Sequence, residues 1–113
     1  MRACLIALAL LAAAPAGAAV SARNDYPTDA RADYVFGCMK SNGETHEALE
    51  RCSCSIDVIA SLLPYDAYVA GETVASVMQD GGPAGRAIKA TALAKQKLVT
   101  LRRAQAESEV RCF

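Results

Sequence analysis

The residues of this chain best suited to chemistry are four cysteines, Cys38, Cys52, Cys54 and Cys112. They follow a predicted export signal, and a small exported domain with an even number of cysteines is typically held by disulfides. Two such bridges would each contribute roughly 2–4 kcal/mol to the free energy of unfolding. All four cysteines are therefore predicted to form two structural disulfides.

The spacing of the cysteines argues against one of the three possible pairings. Cys52 and Cys54 are the least favourable pair, because side chains two residues apart on a helix point about 200° apart. Each of these two cysteines should therefore meet a different neighbour. We favour Cys38–Cys52 together with Cys54–Cys112, and the crossed pairing stays open as an alternative.

The Cys52-Ser53-Cys54 motif also allows a metal or redox interpretation. It lacks the Cys-x-x-Cys spacing of thioredoxin-type and haem-attachment motifs. Two cysteines at this spacing can bind Cu(I), with Met39 and His46 as auxiliary ligands, and four thiolates can hold structural zinc. Copper binding or thiol–disulfide exchange is thus the alternative to structural bridges. Because exported thiols are usually oxidised to disulfides, the preferred interpretation includes no metal and no other cofactor.

Hydrolytic catalysis is hard to build from the side chains of this sequence. Its single histidine, His46, lies at the predicted start of a helix, where a surface position is the ordinary explanation. A nucleophile needs a base within hydrogen-bond reach, and no Ser or Cys with a partner is singled out by the pattern. The protein is predicted not to be an enzyme.

The beginning of the chain resembles a secretory signal. A positive Met1-Arg2 precedes an apolar run from Ala3 to Ala14, and Val20-Ser21-Ala22 fits the small-residue rule at a cleavage site. Residues 1–22 are therefore predicted to be a signal peptide, and residues 23–113 a single periplasmic or secreted domain. The apolar run is too short to span a membrane, and no later segment approaches about 18 apolar residues.

The predicted domain keeps all 12 acidic side chains and 11 of the 12 basic ones, for a net charge of −1. This balance argues against a nucleic-acid partner, which would favour a strongly basic domain. The charge is unevenly divided, with −6 over residues 23–85 and +5 over residues 86–113. A basic last helix that packs among acidic helices would explain this division. The other interpretation is a basic surface for an acidic partner or an anionic lipid.

The pattern of the domain predicts an all-α fold, a compact bundle of about four helices. The expected helices cover residues 28 or 29 to 40, 45–63, 65–79 and 84–110. Ser41-Asn42-Gly43, Pro64 and Asp80-Gly81-Gly82-Pro83 mark the breaks between them. No alternating run rich in Val, Ile and Thr indicates a strand.

Apolar side chains at helical spacing predict the buried faces of these helices. They are Leu49, Cys52, Ile56, Ile59 and Leu63 on the second helix, Ala67, Ala70, Val74, Val77 and Met78 on the third, and Ala87, Ala90, Ala94, Leu98 and Leu101 on the fourth. The second helix is expected to be central, with Cys52 and Cys54 joining it to its neighbours. Residues 23–28 are expected to be a polar segment that leads into the first helix.

A protein partner in the periplasm is the preferred functional expectation. Tyr65 and Tyr68, beside the Pro64 corner, and Arg102 and Arg103, on the basic last helix, are the candidate contact residues. The sequence does not indicate the oligomeric state or whether the protein acts as a chaperone or a docking factor.

Three segments carry a resemblance to a known family: Tyr34-Val35-Phe36-Gly37-Cys38-Met39, Cys52-Ser53-Cys54-Ser55-Ile56-Asp57 and the terminal Arg111-Cys112-Phe113. The chain resembles small exported bacterial proteins of unassigned activity that accompany quinoprotein alcohol dehydrogenase systems of methylotrophic and related bacteria. The resemblance covers most of residues 23–113 and carries over no catalytic residue. It implies a periplasmic accessory role in PQQ-dependent alcohol oxidation.

Overall fold

A computed structural model describes residues 24–113 as five helices, with no strand in this range. The helices are α1 (Thr28–Asn42), α2 (His46–Leu62), α3 (Tyr65–Gln79), α4 (Pro83–Lys89) and α5 (Ala92–Cys112). The predicted all-α class is confirmed for these residues. The predicted signal peptide, residues 1–22, lies outside the described range. None of the five helices is both long and apolar enough to cross a membrane.

The breaks between the first three helices follow the local chemistry of the sequence. Gly43 ends α1 at a φ of 103°, which glycine adopts without the strain that a side chain would add. The Thr45 hydroxyl then accepts a hydrogen bond of 3.1 Å from the Ala48 amide and so caps α2. Pro64 separates α2 from α3, because it has no amide proton to donate.

The expected fourth helix is two helices, and this part of the prediction was wrong. The Ala90 and Thr91 amides donate to carbonyls only three residues back, which closes α4. The Thr91 hydroxyl accepts from the Ala94 amide at 3.2 Å and starts α5 as an N-cap. No glycine or proline marks this break, so the helical periodicity runs through it in the sequence.

The core lies where α2 and α3 pack against α5. Its buried cluster comprises Tyr26, Ile56, Ile59, Leu63, Leu101 and Ala104. The predicted stripe of α2 is buried apart from Leu49, which is 39% exposed. Of the predicted face of the last helix, Ala87 and Ala90 are exposed, since both precede the start of α5. Tyr26, which the sequence placed in a polar segment, is in fact only 4% exposed.

Two disulfides join α2 to its neighbours. Cys38–Cys52 links α1 to α2, and Cys54–Cys112 links α2 to the end of α5. Of the two pairings that the sequence left open, this is the one that we favoured. The helix that packs against the most neighbours is nevertheless α5, because it lies against α2, α3 and α4. The expectation that α2 is central therefore holds for the disulfides and not for the packing.

Candidate functional site

A cleft opens between α1 on one side and α3 and α5 on the other. Helix α1 packs against α2, so the space between α1 and the α3–α5 pair is left open. It consists of two adjacent recesses of about 600 and about 520 Å³, which share Asp33, Tyr68 and Glu72. We call it the acidic cleft and define it by Asp29, Asp33, Tyr34, Tyr65, Tyr68, Glu72, Glu109 and Phe113.

The lining of the acidic cleft has one sign of charge. Four carboxylates line it, and no Lys, Arg or His side chain does. The ion pairs found within residues 24–113 are Glu47–Arg51 and Glu107–Arg111, and His46 contacts Glu50 at 3.2 Å. Each of these contacts joins residues of a single helix. The carboxylates of the cleft take no part in them. A concave surface of one charge concentrates the field that it presents to solvent, so the cleft attracts cations.

One carboxylate of the cleft, Glu72, is partly buried, and this changes its acidity. Burial raises its pKa, and the nearby Arg102 guanidinium partly opposes this rise. Its Oε1 accepts a long hydrogen bond of 3.4 Å from the Gln105 amide. The negative charge of Glu72 is therefore incompletely solvated, and a cation bound beside it would stabilise the charged form.

Tyr65 and Tyr68, which line the acidic cleft, pack against the buried Tyr26. The ring of Tyr26 lies 5.1 Å from the rings of both Tyr65 and Tyr68, and the last two stack at 6.3 Å. The Tyr26 hydroxyl donates to the Leu63 carbonyl at 3.1 Å, and Asp25 accepts from the Tyr65 amide at 3.0 Å. The segment before α1 thus fixes the start of α3. Burial raises the pKa of both Tyr26 and Tyr68, so these phenols stay protonated.

A line of hydroxyl groups runs from Tyr34 and Ser55, which line the cleft, into the protein interior. The Tyr34 hydroxyl lies 2.9 Å from Ser55 Oγ, which lies 2.8 Å from Ser108 Oγ. Ser108 in turn donates to the Gln105 carbonyl at 2.7 Å. Ser55 and Ser108 are 1% and 0% exposed, so these bonds satisfy polar groups that water cannot reach. The line connects α1 to α5 through α2.

The residues of the metal or redox alternative do not come together in the structure. Cys52 and Cys54 are bonded to different partners, and Met39 lines an apolar groove of about 500 Å³ between α1 and α2. His46 is exposed and lies 3.2 Å from Glu50. Within residues 24–113, no three His, Cys, Asp or Glu side chains are placed to share a metal ion.

The predicted contact residues divide between two surfaces. Tyr65 and Tyr68 line the acidic cleft, whereas Arg102 and Arg103 are exposed on α5. Of the two arginines, Arg102 is close enough to Glu72 to act on its pKa. In the described part of the chain, no ion pair joins the basic residues of α5 to acidic residues of another helix. That any of the four residues contacts a partner stays a prediction.

Sequence reasoning missed the carboxylates of the cleft. A usable signal was present, because Asp29 and Asp33 are four residues apart on α1, and Tyr68 and Glu72 are four residues apart on α3. Side chains at this spacing share one helix face. Each pair alone is typical of a solvated surface, and only the packing of the helices shows that the two faces meet. Comparisons of the chain with protein-family models, with curated proteins and with solved structures found no match.

Proposed function

We propose that the protein is an exported, non-enzymatic binding protein that holds a basic side chain of a partner protein in the acidic cleft. The observation that carries this proposal is the lining of the cleft, which combines four carboxylates with aromatic rings and contains no basic side chain. Carboxylates attract a cation through charge, and the faces of aromatic rings attract it through their quadrupole. A lysine or arginine side chain carries the complementary charge on a stem that can pack on tyrosine.

The two disulfides support an extracytoplasmic setting for this activity. Cys38–Cys52 and Cys54–Cys112 are bonds of the kind that persist in oxidising compartments. Together with the predicted signal at residues 1–22, they make a periplasmic or secreted protein the preferred partner. The partner should present an exposed lysine or arginine that can enter a cleft.

The resemblance in the segments around Cys38, Cys52 and Cys112 suggests where to seek that partner. We propose that the protein serves a quinoprotein alcohol oxidation system, and that a soluble component of that system supplies the basic side chain. In this proposal the protein contributes recognition and no catalytic group. It takes part as an accessory factor of the oxidation.

Titration calorimetry with a pentalysine peptide tests the proposed activity. We expect binding that weakens as salt rises, and no binding of pentaglutamate. The double variant Asp33→Asn, Glu109→Gln should weaken binding by about tenfold or more, because two charged contacts are lost. The matched control Asp57→Asn, Glu44→Gln removes the same charge outside the cleft and should change the affinity by less than about threefold.

Two results would contradict the proposal. Equal weakening by both double variants would mean that net charge, and not the cleft, attracts the peptide. Butylamine is the free-amine probe, and an affinity for it equal to that for pentalysine would argue against a protein partner.

A further inference from the structure

We infer that the acidic cleft selects cations that carry N–H donors, the ammonium of lysine or the guanidinium of arginine, over fully alkylated cations of the same charge. This inference rests on the proposed function of the cleft. It goes further because it specifies which feature of the cation is recognised. Its basis is the line of hydroxyls that runs from Tyr34 through Ser55 to Ser108.

The direction of this line follows from a count of protons. Each hydroxyl has one proton to donate. Ser108 donates its proton to the Gln105 carbonyl, which can only accept. The 2.8 Å bond between the two serines must therefore be donated by Ser55. With that proton used, the 2.9 Å bond between Tyr34 and Ser55 must be donated by Tyr34.

The consequence is that the Tyr34 oxygen can only accept from a ligand in the cleft. Its proton is directed into the protein interior, toward the buried Ser55. The carboxylates of Asp33, Glu72 and Glu109 in the same recess are also acceptors. An ammonium or guanidinium group can donate to several of these oxygens, whereas a trimethylated ammonium has no proton to give.

Aromatic rings alone would produce a different selectivity. Cation–π attraction acts on quaternary ammonium groups. A cleft that recognised only the charge of the cation and its contact with ring faces would therefore bind the trimethylated peptide about as tightly as the unmodified one. Tyr34, Tyr68 and Phe113 line the same recess, which makes this a real competing outcome. The affinities for ammonium and trimethylammonium forms of one peptide therefore distinguish the two modes of recognition.

The experiment compares pentalysine with the same peptide trimethylated at every lysine, using the full exported protein. The two peptides have equal charge, and only the unmodified one can donate. We expect the unmodified peptide to bind about tenfold or more tightly, as hydrogen bonds to charged groups are lost on methylation. The variant Tyr34→Phe should reduce this ratio, because it removes one acceptor.

Ser108→Ala gives the sharper test, because Ser108 does not line the cleft. Without Ser108, the proton of Ser55 is free to turn toward Tyr34, and Tyr34 can then direct its own proton into the cleft. We expect the affinity ratio to fall by about two- to threefold, because Tyr34 is no longer held as an acceptor, while the carboxylates still attract both peptides and accept from the unmodified one. The control Ile59→Val lowers stability at another fully buried position without touching a hydroxyl and should leave the ratio unchanged.

Three results would overturn the inference. One is trimethylated peptide that binds the wild-type protein as tightly as unmodified peptide, which leaves the proposed cation cleft standing. Another is a ratio in Ser108→Ala that equals the ratio in Ile59→Val. If neither peptide binds, both the proposed function and the inference are overturned.

Discussion

The two walls of the acidic cleft are built in different ways. Helix α1, which carries Asp33 and Tyr34, has no buried residue, and Cys38–Cys52 joins it covalently to α2. The opposite wall belongs to the core, since α5 buries Leu101 and Ala104 and is in close contact with Gly71 of α3. One wall depends on a disulfide, on the Tyr34–Ser55 hydrogen bond and on the partial packing of Tyr34 and Val35, whereas the other depends on fully buried side chains.

This difference indicates how a domain of about 90 residues can hold an open cleft. Small domains bury a limited core, so a helix that must leave one face free for binding has little apolar area with which to dock. Cys38–Cys52 keeps α1 in place without filling the cleft. The Tyr34–Ser55 hydrogen bond adds a second attachment from the same helix. The disulfide next to the cleft is thus part of the binding site's construction.

The largest loss of stability should follow removal of the disulfide on the packed side. The double variant Cys54→Ala, Cys112→Ala removes a cross-link between residues that are 58 positions apart in the sequence. We expect it to lower the free energy of unfolding by about 4 kcal/mol, because the unfolded chain regains that freedom. Urea unfolding measures the change. If the variant still folds and binds pentalysine, the wall formed by α1 does not need the Cys54–Cys112 disulfide to keep its position.

Removal of Cys38–Cys52 should lower the free energy of unfolding by less than removal of Cys54–Cys112. It should weaken the binding of pentalysine by more. Cys38→Ala with Cys52→Ala opens a separation of 14 residues, for which the expected loss is about 3 kcal/mol. Amide hydrogen exchange should accelerate along α1 while α5 stays protected, because α1 has no buried residue to retain it. Uniform acceleration along α1 and α5, or unchanged pentalysine affinity, would contradict the comparison.

Replacing one glycine on each wall with alanine should change the free energy of unfolding in opposite directions. At Gly71 a Cβ would lie 2.7 Å from Leu101 Cβ, so Gly71→Ala should lower the free energy of unfolding by about 1–3 kcal/mol. At Gly37, in α1, a Cβ would meet nothing within 4 Å. Gly37→Ala should therefore raise the stability by about 0.5–1 kcal/mol through helix propensity. Thermal unfolding of both variants checks the pair, and losses of similar size would argue that α1 is packed like α3.

The smallest expected change separates stability from binding at Glu72. Its pKa in the folded protein is raised above the ordinary value of 4.5, so the folded state holds this proton more tightly than the unfolded state does. The contribution of Glu72 to stability therefore decreases as pH rises from 4.5 through the raised pKa. Glu72→Gln should be slightly more stable than wild type at neutral pH and should lose this advantage in acid.

The same substitution should weaken pentalysine binding, because the carboxylate is one of the acceptors of the cleft. The wild-type affinity should fall as the pH is lowered through the raised pKa of Glu72. Glu44→Gln, at an exposed position outside the cleft, is the control for stability and for binding. A Glu72→Gln protein that is less stable than wild type at neutral pH would contradict this account of Glu72.

Much of the fold could be predicted from local sequence signals. Gly43, Pro64 and the stripe containing Ile56 and Ile59 act within a few residues, so the breaks and the inner face of α2 follow directly from them. The Thr91 break was missed because a threonine cap is a weaker signal than glycine or proline.

The cleft itself depends on contacts between residues far apart in the chain. Tyr34, Ser55 and Ser108 are separated by 21 and 53 residues, and only tertiary packing makes them one line. The position of Tyr26 likewise depends on a distant contact, since its hydroxyl bonds a carbonyl 37 residues away. Local patterns show which side chains share a helix face and do not show which faces meet.

Chemical-shift mapping by nuclear magnetic resonance, with pentalysine added to the isotope-labelled protein, shows whether a basic peptide binds in the acidic cleft. If pentalysine binds in the cleft, we expect the largest amide shifts to cluster on both of its walls, around Asp33, Glu72 and Glu109. We expect little change at Glu47 and Glu50, whose carboxylates contact basic neighbours on α2. Shifts concentrated at the start of α2, with none in the cleft, would contradict the account.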